Sequence, residues 1–425
     1  MIWKPPAAMP YRYRVLILLC SLTTLTYLDR ICISIVGLRL KTDLGLDNTQ
    51  FGWVLASFSF AYALFEIPSG MLGDRIGPRA VFIRIVLFWS LCTALTGLAG
   101  GLLSLMFIRF LFGIGESGTY PNILIVISRW YPVQETGRSL TWVGIGSQIG
   151  SAIAPLLIVP LAIAYGWRMP FFINAMIGFA WVVICHKWFK DFPAQIKKIP
   201  AGELEYIEAN RRFSPSRHLI SWKIIFQNRT VWALMLMYFC CQCSNYFFIT
   251  WMPVYLQEGR HFSENDMKLI TTMVFVVGIS GFLAGGLMAD WLPKKWGLKK
   301  GRRLIGISGL SCCGGLLFLA AFLQDRLAVA GCIIGANFCF AYCVMISYAV
   351  CADIGRNNAG TVTGAMNFFG QAGGLVVSLF FGRIADAMKN FNYPLFLLAG
   401  ITCCGGLIWF FINPENKLKY ATTKE

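Results

Sequence analysis

Apolar residues fill this chain in long runs, each ended by a short polar cluster. Twelve runs have the length that crosses a bilayer as a helix, at about 15–38, 50–72, 80–99, 102–128, 139–164, 168–188, 230–256, 267–291, 303–323, 327–352, 359–385 and 393–412. The pattern predicts an all-α membrane protein of twelve transmembrane helices. The first run is too long for a cleaved leader, is interrupted by Asp29 and Arg30, and lacks a small-residue cleavage site.

The longest polar segment, 189–228, separates six runs from six. It divides the chain into an N-terminal tail (1–14), a six-helix bundle (15–188), a linker (189–228), a second six-helix bundle (229–413) and a C-terminal tail (414–425). Within the linker, AGELEYIEANRR has helical spacing with acids first and bases last, which suits a helix dipole. The linker's Lys190, Lys197, Lys198, Arg211, Arg212 and Arg217 read as a solvated connection between the halves. The halves also repeat each other. Gly70-Met-Leu-Gly-Asp74 after the second run matches Gly286-Leu-Met-Ala-Asp290 after the eighth. Gly137 and Gln148 match Gly360 and Gln371, with a separation of eleven in both. Matched landmarks in the same order argue for duplication. Parallel six-helix halves with a site between them at the midplane are a transporter architecture.

Composition agrees: 57% of residues are hydrophobic and 13% charged, about half the charge a soluble domain carries. A net charge of +17 raises the question of nucleic acid, but the distribution answers it. With the N-terminus inside, 27 of the 37 Lys and Arg fall at the cytoplasmic face, eight fall outside, and Arg30 and Arg109 lie within runs. This positive-inside bias puts both termini in the cytoplasm. The fifteen cysteines sit in apolar stretches, and no Cys or His spacing suits a metal or cofactor. None of the three His residues, at 186, 218 and 261, is given a role. No nucleophile, metal cluster or phosphate loop suggests an enzyme.

Asp29 and Arg30 stand inside the first run, and Arg109 and Glu116 inside the fourth. A charge at bilayer depth is costly, so such residues normally face a cavity or a partner, and are functional by default. Arg109 and Glu116 are seven apart and share a helix face two turns apart, each free to reach another helix. Asp29 and Arg30 point about 100° apart. Arg offers a planar fork of donors that a carboxylate engages in two bonds, so Arg30 is the candidate anion anchor. Proton coupling needs carboxyls that respond to their surroundings, and Asp29 and Glu116 are the candidates, with Arg109 as tuner. A static ion-pair network locking the bundle is the competing reading.

Several motifs carry a resemblance. GDRIGPR (Gly73–Arg79) and its copy ADWLPKKWGLKKGRR resemble the loop signature of the major facilitator superfamily. TYLDR (Thr26–Arg30), RFLFGIGESGTYP (Arg109–Pro121), ITWMPVYL (Ile249–Leu256) and DIGRNNAGTVTGAMNFFGQAGG (Asp353–Gly374) resemble its anion:cation symporter family, which includes bacterial carriers of galactonate, glucarate and hexuronates. The resemblance implies the major facilitator fold, no cofactor, and proton-coupled uptake of a small organic anion by alternating access, with a sugar acid such as an aldonate or hexuronate expected. It also implies substrate contacts at Tyr27, Tyr62, Gln148 and Asn367, and a gating latch at Asp74, Arg75 and Arg79, with Asp290 in the second copy. A monomer in a bacterial inner (plasma) membrane is expected, with protons and lipid as further partners. The same fold carrying another carboxylate (an amino acid, a dicarboxylate or a siderophore-like acid) in import or export is the alternative. A non-transporting membrane sensor is a further one.

Two departures stand out. Glu66 occupies a position where sugar-acid carriers often have Gln; it lies one turn after Tyr62 and is a candidate proton site or a partner for Arg84. Ser347 and Tyr348 stand where relatives often place a Trp, and Ser347 is retained as a substrate candidate. The seventh run has no interior base, whereas organophosphate antiporters place a second Arg there, which disfavours a phosphate substrate.

Overall fold

The computed structural model describes residues 9–211, 226–355 and 359–418, so Arg212, Arg217, His218 and the Arg356-Asn357-Asn358 part of the last motif lie outside the described residues. It is all-helical. Twelve helices are long and apolar enough to cross a membrane: Tyr11–Ile35, Asn48–Ile76, Pro78–Thr96, Leu102–Trp130, Val133–Tyr165, Met169–Trp188, Arg229–Gly259, Glu264–Trp296, Leu298–Phe322, Arg326–Gly355, Ala359–Met388 and Asn392–Phe411. They are numbered here as the first to twelfth spans. They coincide one for one with the apolar runs.

The pseudo-symmetry is visible in the backbone. The turns after the second and eighth spans both pivot on a glycine with positive φ, Gly77 (φ 87°, ψ 144°) and Gly297 (φ 82°, ψ 157°). A side chain is strained in that conformation, so the repeated glycine preserves the same tight reversal in both halves. Within the halves the first span packs on the fifth, the third on the sixth, the eighth on the tenth and the ninth on the twelfth. Across the interface the second meets the eleventh, the fifth meets the eighth, and the first meets the seventh.

The fourth and seventh spans are irregular in mid-course. The fourth breaks at Ser117–Gly118, directly after Glu116, before resuming at Thr119. The seventh runs helically to Tyr246 and then loosens into π-helical turns at Phe247–Trp251 and Tyr255–Gly259. Pro253 contributes, because it has no N–H to donate and crowds the carbonyl one turn back. Such wide turns concentrate at functional sites.

The linker is more than a solvated tether. Its helix, Ala201–Asn210, directs Glu203 at the start of the first span, where the backbone N–H groups of Tyr11 and Arg12 donate to it at 3.0 and 3.1 Å. The carboxylate therefore satisfies orphan donors at the positive end of that helix. Arg12 ties the same region to Glu135 at 3.1 Å.

With an even number of crossings, both described ends lie on the side of the linker. The opposite side, called distal here, is closed by contacts between the halves. Arg39 engages Glu264 through two bonds, of 2.6 and 2.8 Å. Lys41 pairs with Glu258 and with Asn48. Burial pushes the Lys41 ammonium below its ordinary value, opposed by Glu258 and Asp386. Asp386, on the eleventh span, accepts from Asn48 Nδ2, Thr49 N and Thr49 Oγ1, each at 2.8 Å. Nearby, a Cβ on Gly52 would meet the carbonyl of Ser378. Toward the linker side the second and eleventh spans part. A Cβ on Gly70 or Gly73 would meet Pro121, Asn122 or Ile125 of its own half, and Gly360 and Gly364 have open space beside them. The cleft between the halves therefore opens to the linker side.

Candidate functional site

The closed end of the cleft holds the charged residues. Arg30 Nε donates to Glu116 Oε2 at 2.7 Å, joining the first and fourth spans through a pair that is 7% and 0% exposed. A cage of rings surrounds the guanidinium: Tyr62 at 4.7 Å, and Tyr27 and Phe58 at 5.2 Å. These contacts combine cation–π attraction with exclusion of water. Arg30 Nη2 and Glu116 Oε1 have no hydrogen-bond partner among the described residues. The pair therefore keeps capacity for further polar contacts. Between Arg30, Arg109 and the loosened seventh span at Tyr246, Ile249 and Thr250 lies a recess of about 10 Å³. That is room for about one water.

Asp29 points the other way, as adjacent helical positions must. It is 2% exposed and buried among Arg109, Asn174 of the sixth span and Trp89 of the third. Its two oxygens face the Asn174 amide and the Trp89 N–H. Arg109 lies over Phe112 at 4.4 Å and Phe58 at 5.1 Å. It forms no close ion pair among the described residues; Glu116 is held by Arg30, and Arg109 feels the charges of both Glu116 and Asp29.

The other sequence candidates divide. Tyr27 and Tyr62 adjoin Arg30. Gln148 is buried where the fifth span meets the eighth at Gly278, with its Oε1 unpartnered. Asn367 is half-buried on the eleventh span. Ser347 is fully buried, and its neighbour Tyr348 takes the cleft-facing position, hydrogen-bonded to Tyr238 at 3.0 Å. One residue is about 100° of helix rotation, which accounts for the difference. Glu66 is half-buried on the cleft side of the second span and makes no ion pair with Arg84, which is exposed on the third. Of the latch residues, Asp74, Arg75 and Asp290 are exposed. Arg79 donates its backbone N–H to Asp191 at 2.8 Å and its guanidinium to the His186 carbonyl at 2.6 Å, both within its own half. No cluster of His, Cys, Asp or Glu that suits a metal occurs among the described residues.

Residues that the sequence reading passed over are Asn174, Trp89, Phe58 and Tyr238. Single polar or aromatic residues are common in spans and carry no signal of their own. Tyr246 lies in the seventh span, whose interior has no Lys or Arg. It donates to Gln371 at 2.6 Å, joining the seventh and eleventh spans.

The Major Facilitator Superfamily profile matches residues 19–378. The chain belongs to that superfamily. As a Major Facilitator Superfamily protein it is a transporter and not an enzyme. It is 30% identical over 410 residues to the probable sulfoacetate transporter SauU of Cupriavidus necator, covering 95% of this chain and 94% of that one. It is 30% identical over 392 residues to the hexuronate transporter of Bacillus subtilis, covering 91% and 90%. It is 26% identical over 423 residues to the D-galactonate transporter of Escherichia coli O6:H1, covering 96% of each. Among solved structures, a bacterial homolog of the human lysosomal transporter Spinster superposes with a TM-score of 0.75 at 19% identity, covering 96% of this chain and 97% of that one. That similarity establishes the Major Facilitator Superfamily fold. The charged pair therefore sits where the two halves of such a transporter meet.

Proposed function

We propose that this transporter couples proton entry to uptake of a small organic anion, a sugar acid such as an aldonate or hexuronate. The observation that carries the reading is the Arg30–Glu116 pair at the closed end of the cleft. A substrate carboxylate and the Glu116 carboxylate compete for one guanidinium. Protonating Glu116 removes its charge and frees Arg30 to engage the incoming anion with its planar fork. Deprotonation returns Glu116 to Arg30 and expels the anion. Asp29, enclosed with Arg109, supplies a second site whose protonation follows changes in burial. The relatives' names fit an anion site, since sulfoacetate, hexuronate and galactonate are all organic anions.

The excess of basic residues assigns the linker side to the cytoplasm. The cleft then faces inward, and the distal ion pairs form the closed outer gate. Loading requires the gate to part and the halves to rock about Arg30. The Asp74, Arg75 and Arg79 loop, with Asp290 in the other half, closes the cytoplasmic side in the opposite state. The molecule works as a monomer in a bacterial plasma membrane. The test is uptake of labelled galactonate and glucuronate into proteoliposomes under an imposed pH gradient. Accumulation that collapses with a protonophore supports the coupling; uptake indifferent to the gradient removes it.

A further inference from the structure

We propose that Glu66 is a specificity-determining residue, restricting this carrier to monoanions whose far end is hydroxylated and uncharged. The inference rests on reading Arg30 as the anion site. The stretches 230–259, 269–293, 327–355 and 359–382, which are the interiors of the seventh, eighth, tenth and eleventh spans, contain no Lys or Arg. The positive charges near the cleft are therefore those of the other half, Arg30 and Arg109. Arg109 is 3% exposed and lies over Phe112 and Phe58, and the recess that reaches it has a volume of about 10 Å³. A bound anion thus finds one usable guanidinium.

The rest of the substrate must extend away from that recess, along the open cleft. Its path passes Tyr62, whose ring is 4.7 Å from the Arg30 guanidinium. One turn further along the same face, about 6 Å of axial rise, stands Glu66. It is half-buried and makes no hydrogen bond or ion pair among the described residues. The charged and titratable groups that face it are Arg30, Tyr62 and, from the tenth span, Tyr348. Tyr348 is hydrogen-bonded to Tyr238 at 3.0 Å. The far end of the substrate therefore meets a carboxylate and two phenols. These groups accept hydrogen bonds from hydroxyls. They offer no cation to a second carboxylate or to a sulfonate. A like charge placed beside Glu66 is repelled, and building repulsion against the wrong ligand is a recognised route to specificity.

The experiment uses the full chain in proteoliposomes. Counterflow of labelled glucuronate is competed by unlabelled glucuronate, galactonate, galactarate or sulfoacetate. In wild type the two diacids are expected to compete about 30-fold less well, or worse, which corresponds to about 2 kcal/mol. Glu66→Gln is expected to bring that ratio to within about threefold, and Glu66→Asp to preserve it. Diacids competing as well as monoacids in wild type overturn the proposal without any variant. So does an unchanged ratio in Glu66→Gln. If Glu66→Gln is not recovered folded, Glu66→Ala supplies the same comparison. A Glu66 that only carried protons would alter the gradient dependence and leave the ratio unchanged, which also overturns the proposal. Failure of every acid to compete overturns the anion-site reading itself, and is told apart by the absence of any counterflow.

Discussion

At the level of single side chains, the proposed mechanism sets two carboxylates, one fixed on Glu116 and one carried, in competition for the Arg30 donors. Arg30→Ala removes both charge-assisted bonds to the substrate, and binding measured by calorimetry is expected to weaken by at least about 100-fold. Arg30→Lys keeps the charge but loses the fork, and is expected to recover only part of that loss. Glu116→Gln leaves Arg30 permanently available. In wild type, affinity for the anion is expected to fall as pH rises, because the ionised Glu116 reclaims Arg30. In Glu116→Gln that dependence flattens, exchange persists and gradient-driven accumulation is lost. Persistent pH-driven accumulation by this variant would take Glu116 out of the mechanism. Asp29, Arg30, Arg109 and Glu116 were legible in the sequence because a charge within an apolar run is conspicuous. Their partners were not. Periodicity shows which residues share a face of one helix, and nothing about which neighbour that face meets. Hence the Arg30–Glu116 contact was not foreseen, Ser347 was chosen over Tyr348, and Asn174 was passed over.

At the level of helices, closure of the distal side depends on one span completing another. Asp47 accepts the Gln50 N–H from within the second span's own capping box, at 2.7 Å. Asp386, from the other half, takes the Thr49 N–H. The second span is thus fully capped only while the distal side is shut. Asp386→Asn is expected to speed hydrogen exchange at residues 48–51 and to raise the outward-open population. Unchanged exchange there would show that the cap does not hold the gate. Gly52→Val acts sterically, since its side chain would run into the Ser378 carbonyl. It is expected to keep the distal side open and to slow exchange of labelled substrate, with the total amount of folded protein as control. These roles were not legible beforehand. A charge at the end of a span has the same sequence signature whether it is solvated, orients the chain in the bilayer or pairs across a gate. In the glycine-rich segment Gly144–Gly150 the helices approach closely, and Gly150 abuts the Thr24 backbone.

At the level of the whole molecule, the twelve spans, their grouping into two halves and the parallel repeat were legible because bilayer thickness fixes helix length and duplication leaves matched glycines. The direction in which the cleft opens was not, because two packings of one sequence differ by only a few kcal/mol. The linker's role in capping the first span escaped for a related reason: its helix was visible, its docking was not. The half that carries the seventh to twelfth spans bears its ionised side chains at the ends of those spans, and its interior stretches lack Lys and Arg. When it rocks against its partner, it moves almost no fixed charge through the membrane field. Any electrical signal then belongs to the cargo and its protons. One proton with one monoanion is silent. Two protons with one monoanion move a unit charge, worth about 2.3 kcal/mol per 100 mV. A capacitive current recorded on a supported membrane thus reads out the stoichiometry of this carrier directly, and removing the substrate should abolish it.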